Sequence, residues 1–185
     1  MSKPYILAIG GTTRPNSLTE RILRSALGHA REAGAEVRLL GSDDLQLPHY
    51  GAGAGEHPLA RTLLEEVRRA DGILLASPGY HGAISGLMKN ALDYLEEARN
   101  DDQPYLSRRA VGCIGLAAGW QAGAATLAGL RGIVHALRGW PTPLGVVINS
   151  TETPFDEQGQ CSDPRVEQQL RTMTGQVLEF CQMRC

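Results

Sequence analysis

Five short apolar runs alternate with helix-periodic stretches, and that alternation restricts the fold of this chain more than any other feature. The runs are YILAI (Tyr5–Ile9), EVRLL (Glu36–Leu40), GILLA (72–76), AVGCIGL (110–116) and LGVVI (144–148). In the first intervening stretch Leu18, Ile22, Leu23, Ala26 and Leu27 fall on one helical face. Leu59, Leu63, Leu64 and Val67 do the same in Pro58–Arg69. The spacing predicts further helices over 83–98 and 124–137, and a last one from Pro164 at its first position to about Cys181. Residues 77–82 and 117–123, rich in small residues, are expected as turns, and 43–55, with its GAGAG, as a mobile surface loop. Strands alternating with helices require a parallel sheet covered on both faces. With no repeat or linker in the way, one domain over 1–185 is expected.

A chain of 185 residues can bury a full core. Its net charge of −2 gives no electrostatic basis for nucleic acid or an anionic membrane as partner. No stretch is long and apolar enough to span a bilayer. The first apolar run is too short, and too weakly preceded by basic charge, for a signal peptide, so a cytoplasmic protein is expected. The four cysteines (Cys113, Cys161, Cys181, Cys185) show no C-x-x-C and are expected as free thiols. His29, His49, His57 and His135 are scattered without paired metal spacing, and no metal site is expected.

After the first run come Gly10, Gly11 and the polar segment TTRPNSLT (12–19), followed directly by a helix. A strand, a tight loop and a helix N-terminus make an anion site, because unpaired backbone N–H groups and the positive end of the helix dipole face the loop. Thr12, Arg14, Ser17 and Thr19 add donors. The segment has neither the Lys-Ser/Thr ending of a P-loop nor G-x-G-x-x-G, so it suits a monophosphate better than a triphosphate or a dinucleotide. From the loop alone, Ser17 as a plain helix cap beside a solvated Arg14 stays equally open. Five strands opening on such a loop favour the order 2-1-3-4-5, in which ligands sit beyond the strand C-termini at the switch between strands one and three. The loops after strands one, three and four should then line one crevice, which favours the phosphate reading.

Those loops, TTRPNSLT, then SPGYHG (77–82) with SGLMKNALD (85–93), resemble the NADPH-dependent FMN reductase family of flavodoxin-like proteins. Arg14 and Ser17 match in the first block. Pro78, Tyr80, Gly86, Lys89, Asn90 and Asp93 match in the second. Thr12 stands where serine is usual, Thr19 where asparagine is, and His81 where asparagine is common. The resemblance implies a flavodoxin-like three-layer sandwich that binds FMN and NADPH or NADH. The phosphate would lie on Thr12, Arg14, Ser17, Leu18 and Thr19, and one ring edge along Pro78, Gly79, Tyr80, His81 and Gly82. The other edge would lie along Ala118, Gly119, Trp120 and Gly123.

The reaction implied is hydride transfer from a nicotinamide to flavin N5, with no side chain required as acid or base. Within the same class, FMN could stay bound while a quinone, azo compound or metal oxyanion takes the electrons. A flavodoxin-type electron carrier shares the fold, but its acidic surface and phosphate loop do not match here. The family also implies a homodimer or homotetramer, with the helix over 83–98 as the candidate contact. Tyr80 could instead pack on the next helix, His81 be a solvated turn residue and Trp120 an interface residue. Lys89, Asn90 and Asp93 fit a structural or subunit-contact role, with Lys89 and Asp93 as an i,i+4 pair.

Overall fold

A computed structural model of the chain describes residues 3–152 and 155–183. Its elements run β1 (Tyr5–Ile9), α1 (Leu18–Glu32), β2 (Glu36–Leu40), α2 (Pro58–Arg69), β3 (Gly72–Tyr80), β4 (Ala83–Ile84), α3 (Gly86–Asp93), β5 (Ala110–Ala117), α4 (Trp120–Ala136), β6 (Trp140–Pro141), β7 (Val146–Asn149) and α5 (Pro164–Met183). Short 3-10 turns cover Ala54–Glu56 and Tyr94–Ala98.

The principal strands pair in parallel in the order β2-β1-β3-β5, and β5 continues the sheet to β6 near its start and β7 near its end. That is the expected 2-1-3-4-5 order, with the fifth strand split into two short pieces. β1 is buried along its whole length, as a strand covered on both faces must be. Its residues alternate between two cores: Tyr5, Leu7 and Ile9 meet α2, α3 and α4, while Ile6 and Ala8 meet α1 and α5. In α1 the fully buried Ile22 and Leu23 each contribute about 1.5–3 kcal/mol by leaving water. β2 alternates exposed and covered positions, which is the pattern of an edge strand.

Three expectations need correction. Residues 77–80 are not a turn: β3 runs on to Tyr80, because Ser77 and Pro78 find partners in Gly115 and Leu116 of β5. The turn is confined to His81 and Gly82, whose φ values of 52° and 81° are both left-handed, and it leads into antiparallel β4. Two positive φ angles in a two-residue loop are the type I′ requirement, which Gly82 meets without strain. The helix expected over 83–98 therefore starts only at Gly86, capped by Ser85, and tightens to a 3-10 turn after Asp93. Residues 120–123 are not turn but the first turn of α4.

The loop expected to be mobile is anchored. Asn90 of α3 accepts from Tyr50 N at 2.9 Å and donates to Pro48 O at 2.9 Å, and Tyr94 Oη donates to Pro48 O at 2.9 Å. This gives Asn90 a structural role, and Lys89 pairs with Asp93 beside it.

Candidate functional site

The β1–α1 loop is built by a few side chain-to-backbone bonds. Ser17 sits in extended geometry as the N-cap of α1 and accepts from Glu20 N at 3.4 Å. The N–H groups of Leu18 and Thr19, the first two of the helix, have no partner among the described residues. They are the orphan donors of a helix N-terminus. Thr12 Oγ1 accepts from Arg14 N at 3.1 Å and donates to Arg14 O at 3.3 Å, folding the loop tip. Arg14 itself is exposed, and its guanidinium makes no ion pair among the described residues. Asn16 adopts φ 53°, uncommon for a residue with a Cβ, although asparagine is among those that tolerate it best.

These residues open onto a cavity of about 550 Å³. Of the expected phosphate residues, Thr12, Arg14, Ser17 and Leu18 line it, and Tyr80 joins them from the end of β3. The β1–α1 loop and the end of β3 thus meet in one pocket, whereas the turn after β5, expected in the same crevice, contributes no lining residue. Thr13, Pro15, Asn16 and Arg21 complete the lining. Thr19 does not: the whole residue is buried, 2 % exposed, behind the loop. The hydroxyl expected on the phosphate thus lies outside the cavity lining.

The rest of the expected ring site lies along the neighbouring strand ends. Tyr80 is 56 % exposed, and His81 and Gly82 form the solvent-facing turn after it. A Cβ on Gly79 would stand 2.2 Å from Thr126 Oγ1, so this glycine admits α4 to the sheet. Ala118 is exposed, and Gly119 O accepts from Gly123 N at 3.1 Å to open α4. Gly119 has no side chain with which to cap that helix, which leaves the first N–H groups of α4 pointing out beyond β5. Trp120 is 54 % exposed at this helix start. Gly123 is corrected: it is buried on the sheet side of α4, where a Cβ would come within 2.6 Å of Val147 Cγ1.

The sequence reading missed two residues. Arg21 faces the cavity one turn into α1, where its Nε donates to Asn16 O at 3.0 Å. Glu20 is buried beneath the loop and tied to it. The signal for Glu20 is legible, since Ser17-x-x-Glu20 is a capping box. The signal for Arg21 is only its position on the helix.

Elsewhere, His29 is buried between α1 and α5 with Nε2 3.0 Å from Glu167 Oε1, an ion-pair separation without hydrogen-bond geometry. Cys113 and Cys161 are free thiols. Burial pushes the Cys113 thiol up to about 12. Cys185 lies outside the described residues.

Residues 4–153 match the family described as NADPH-dependent FMN reductase. The chain belongs to this family. It is 29 % identical over 176 residues to an NAD(P)H-dependent FMN reductase of Pseudomonas aeruginosa, covering 91 % of this chain and 92 % of that one. It is also 29 % identical over 182 residues to an FMN-dependent NADPH-azoreductase of Staphylococcus aureus, covering 94 % and 93 %. Among solved structures, the FerB flavoenzyme NAD(P)H:(acceptor) oxidoreductase of Paracoccus denitrificans superposes with a TM-score of 0.77 at 17 % identity, covering 97 % of this chain and 98 % of that one. The sandwich is flavodoxin-like, as its strand order and this superposition agree.

Proposed function

We propose that this family member is an NAD(P)H-dependent FMN reductase whose flavin phosphate sits on the β1–α1 loop. The observation carrying the reading is the cavity in which Arg14, the unpaired N–H of Leu18 and Tyr80 converge at the switch point of the sheet. Its donor set fits a phosphate ester: the Arg14 guanidinium, the Ser17 hydroxyl and the positive end of α1. The donors also suit a single phosphate better than a dinucleotide, which needs a longer cradle.

Bound FMN would supply the hydride acceptor for the nicotinamide and the donor to the second substrate. The chain's own part is placement. Arg14 and Leu18 N would fix the phosphate end, while Tyr80 and the His81-Gly82 turn would border the ring. The uncapped start of α4 would offer N–H donors to the far edge of a bound ring, where a helix N-terminus could favour the negative charge of the reduced form.

A second reading keeps FMN bound while an azo compound, quinone or metal oxyanion accepts the electrons, and the similarity to the azoreductase favours it. Anaerobic mixing of protein, FMN and NADPH or NADH tests both. Bleaching of free FMN in excess supports the first. Bleaching limited to one flavin per chain, reversed by an azo dye, supports the second, and a persistent flavin spectrum with either nucleotide refutes both.

We also place the protein in the cytoplasm as a homo-oligomer. No helix among the described residues is long and apolar enough to cross a membrane. The contact we propose is α4 rather than α3, because Ala124, Ala125, Ala128, Gly129 and Gly132 leave its outer face exposed and uncharged. The outer face of α3 instead carries the Lys89–Asp93 ion pair. Ala128→Glu should shift the light-scattering mass to that of one chain, and an unchanged mass would rule out this face.

A further inference from the structure

Glu20 does not line the cavity, yet it holds the cavity's inner wall. It is 4 % exposed and stands three residues past the N-cap of α1. Its Oε2 accepts from Asn16 N at 3.0 Å and from Arg24 Nη2 at 3.0 Å, and its Oε1 accepts from Ser42 N at 2.9 Å. One carboxylate therefore ties the β1–α1 loop to the segment leaving β2. Two glycines make room for it. A Cβ on Gly11 would lie 3.3 Å from Glu20 Oε1, and one on Gly41 would lie 3.1 Å from the same oxygen.

The residue it grips is the one in left-handed geometry. Asn16 is bound at its N–H by Glu20, at its carbonyl by Arg21, and at its Oδ1 by Arg24 Nη1 at 2.7 Å. The loop tip ahead of it has only the Thr12 hydroxyl bonds. Electrostatics alone would not put a buried carboxylate under an anion pocket, because like charge repels the ligand. What the carboxylate provides is geometry: with Asn16 fixed, Ser17 and the free N–H of Leu18 present a ready donor set, and the ligand need not order them.

We propose that Glu20 is a positioning residue for the phosphate. It acts through the Asn16 backbone and sets how strongly the protein prefers a phosphorylated flavin over the bare one. The inference rests on the FMN reading above.

The test compares dissociation constants for FMN and riboflavin, which share ring and ribityl chain and differ in the phosphate. Glu20→Gln retains shape but turns an amide donor toward one of the two backbone N–H groups. FMN binding should weaken about tenfold or more, as for loss of a charge-assisted bond, with riboflavin binding changed less than about twofold. Gly41→Ala displaces the same carboxylate without altering its chemistry, and the ratio should fall in the same direction even if Glu20→Gln does not fold. A folded variant of either kind that keeps the wild-type ratio, or weakens both flavins equally, overturns the positioning role. A wild-type protein that does not distinguish the two flavins overturns the phosphate reading itself, and the inference with it.

Discussion

Arg14→Ala isolates the phosphate grip from the stability of the fold. The side chain is exposed and its guanidinium has no protein partner among the described residues, so its removal takes nothing from the core. Substitutions of that kind usually stay within about 0.5 kcal/mol of wild-type stability. In the complex the guanidinium would form a charge-assisted bond worth about 1.5–3 kcal/mol, which is roughly 10- to 150-fold in affinity. Arg14 is at the solvent-facing rim of an open cavity, and screening there places the expected loss near the lower end, about tenfold. Quenching of flavin fluorescence during titration reads FMN affinity directly. Riboflavin run in parallel should show no loss, and the FMN deficit should shrink as salt is added. An FMN constant unchanged from wild type, in a variant whose urea midpoint is also unchanged, would refute Arg14 as a phosphate ligand. Equal losses for both flavins would locate Arg14 on the ring instead.

Gly123→Ala brings a methyl group against Val147 Cγ1, at 2.6 Å before relaxation, and should destabilise the protein by about 1–3 kcal/mol in urea unfolding. A midpoint equal to wild type would mean α4 does not sit as described. Tyr50 Oη donates to Glu97 Oε1 at 2.8 Å, and this bond, with burial and the Glu97 charge, pushes the phenol up from 10.0 to about 12. The fold favours the neutral phenol, so its stabilisation is present below pH 10 and disappears as pH rises toward 12. Tyr50→Phe should therefore lose less stability than wild type across that interval. Parallel curves for the two proteins would show that the bond is not formed.

Much of this molecule was legible without coordinates. β1, β2 and α2 follow from apolar pattern and punctuation alone, because each is a short run bounded by turn formers, β1 apolar on both faces and α2 on one. The pocket's place followed from strand order, Thr12, Arg14 and Ser17 in its lining from the strand-loop-helix pattern, and Leu18 from the family resemblance. Errors gathered at small residues, since glycine and proline have two meanings that local sequence does not separate. Pro78 and Gly79 resemble a turn but continue β3, since β5 supplies pairing partners and Thr126 occupies the space beside Gly79. Gly123 resembles a loop glycine but is the contact through which α4 approaches β7.

By itself, then, the sequence determined the alternation of elements, the layered parallel architecture and the polar β1–α1 loop that the proposed function places at the phosphate. These depend on periodicity and on chemistry within a few neighbouring residues. Only the tertiary structure decided that Thr19 turns inward, that Arg21 turns toward the cavity and that Glu20 ties the loop to β2. Each of those depends on which side of a helix faces the sheet and on what a distant strand brings beside it. Such contacts are set by packing across the chain; the capping-box spacing marks Glu20 at the helix start, but nothing local marks its bond to Ser42.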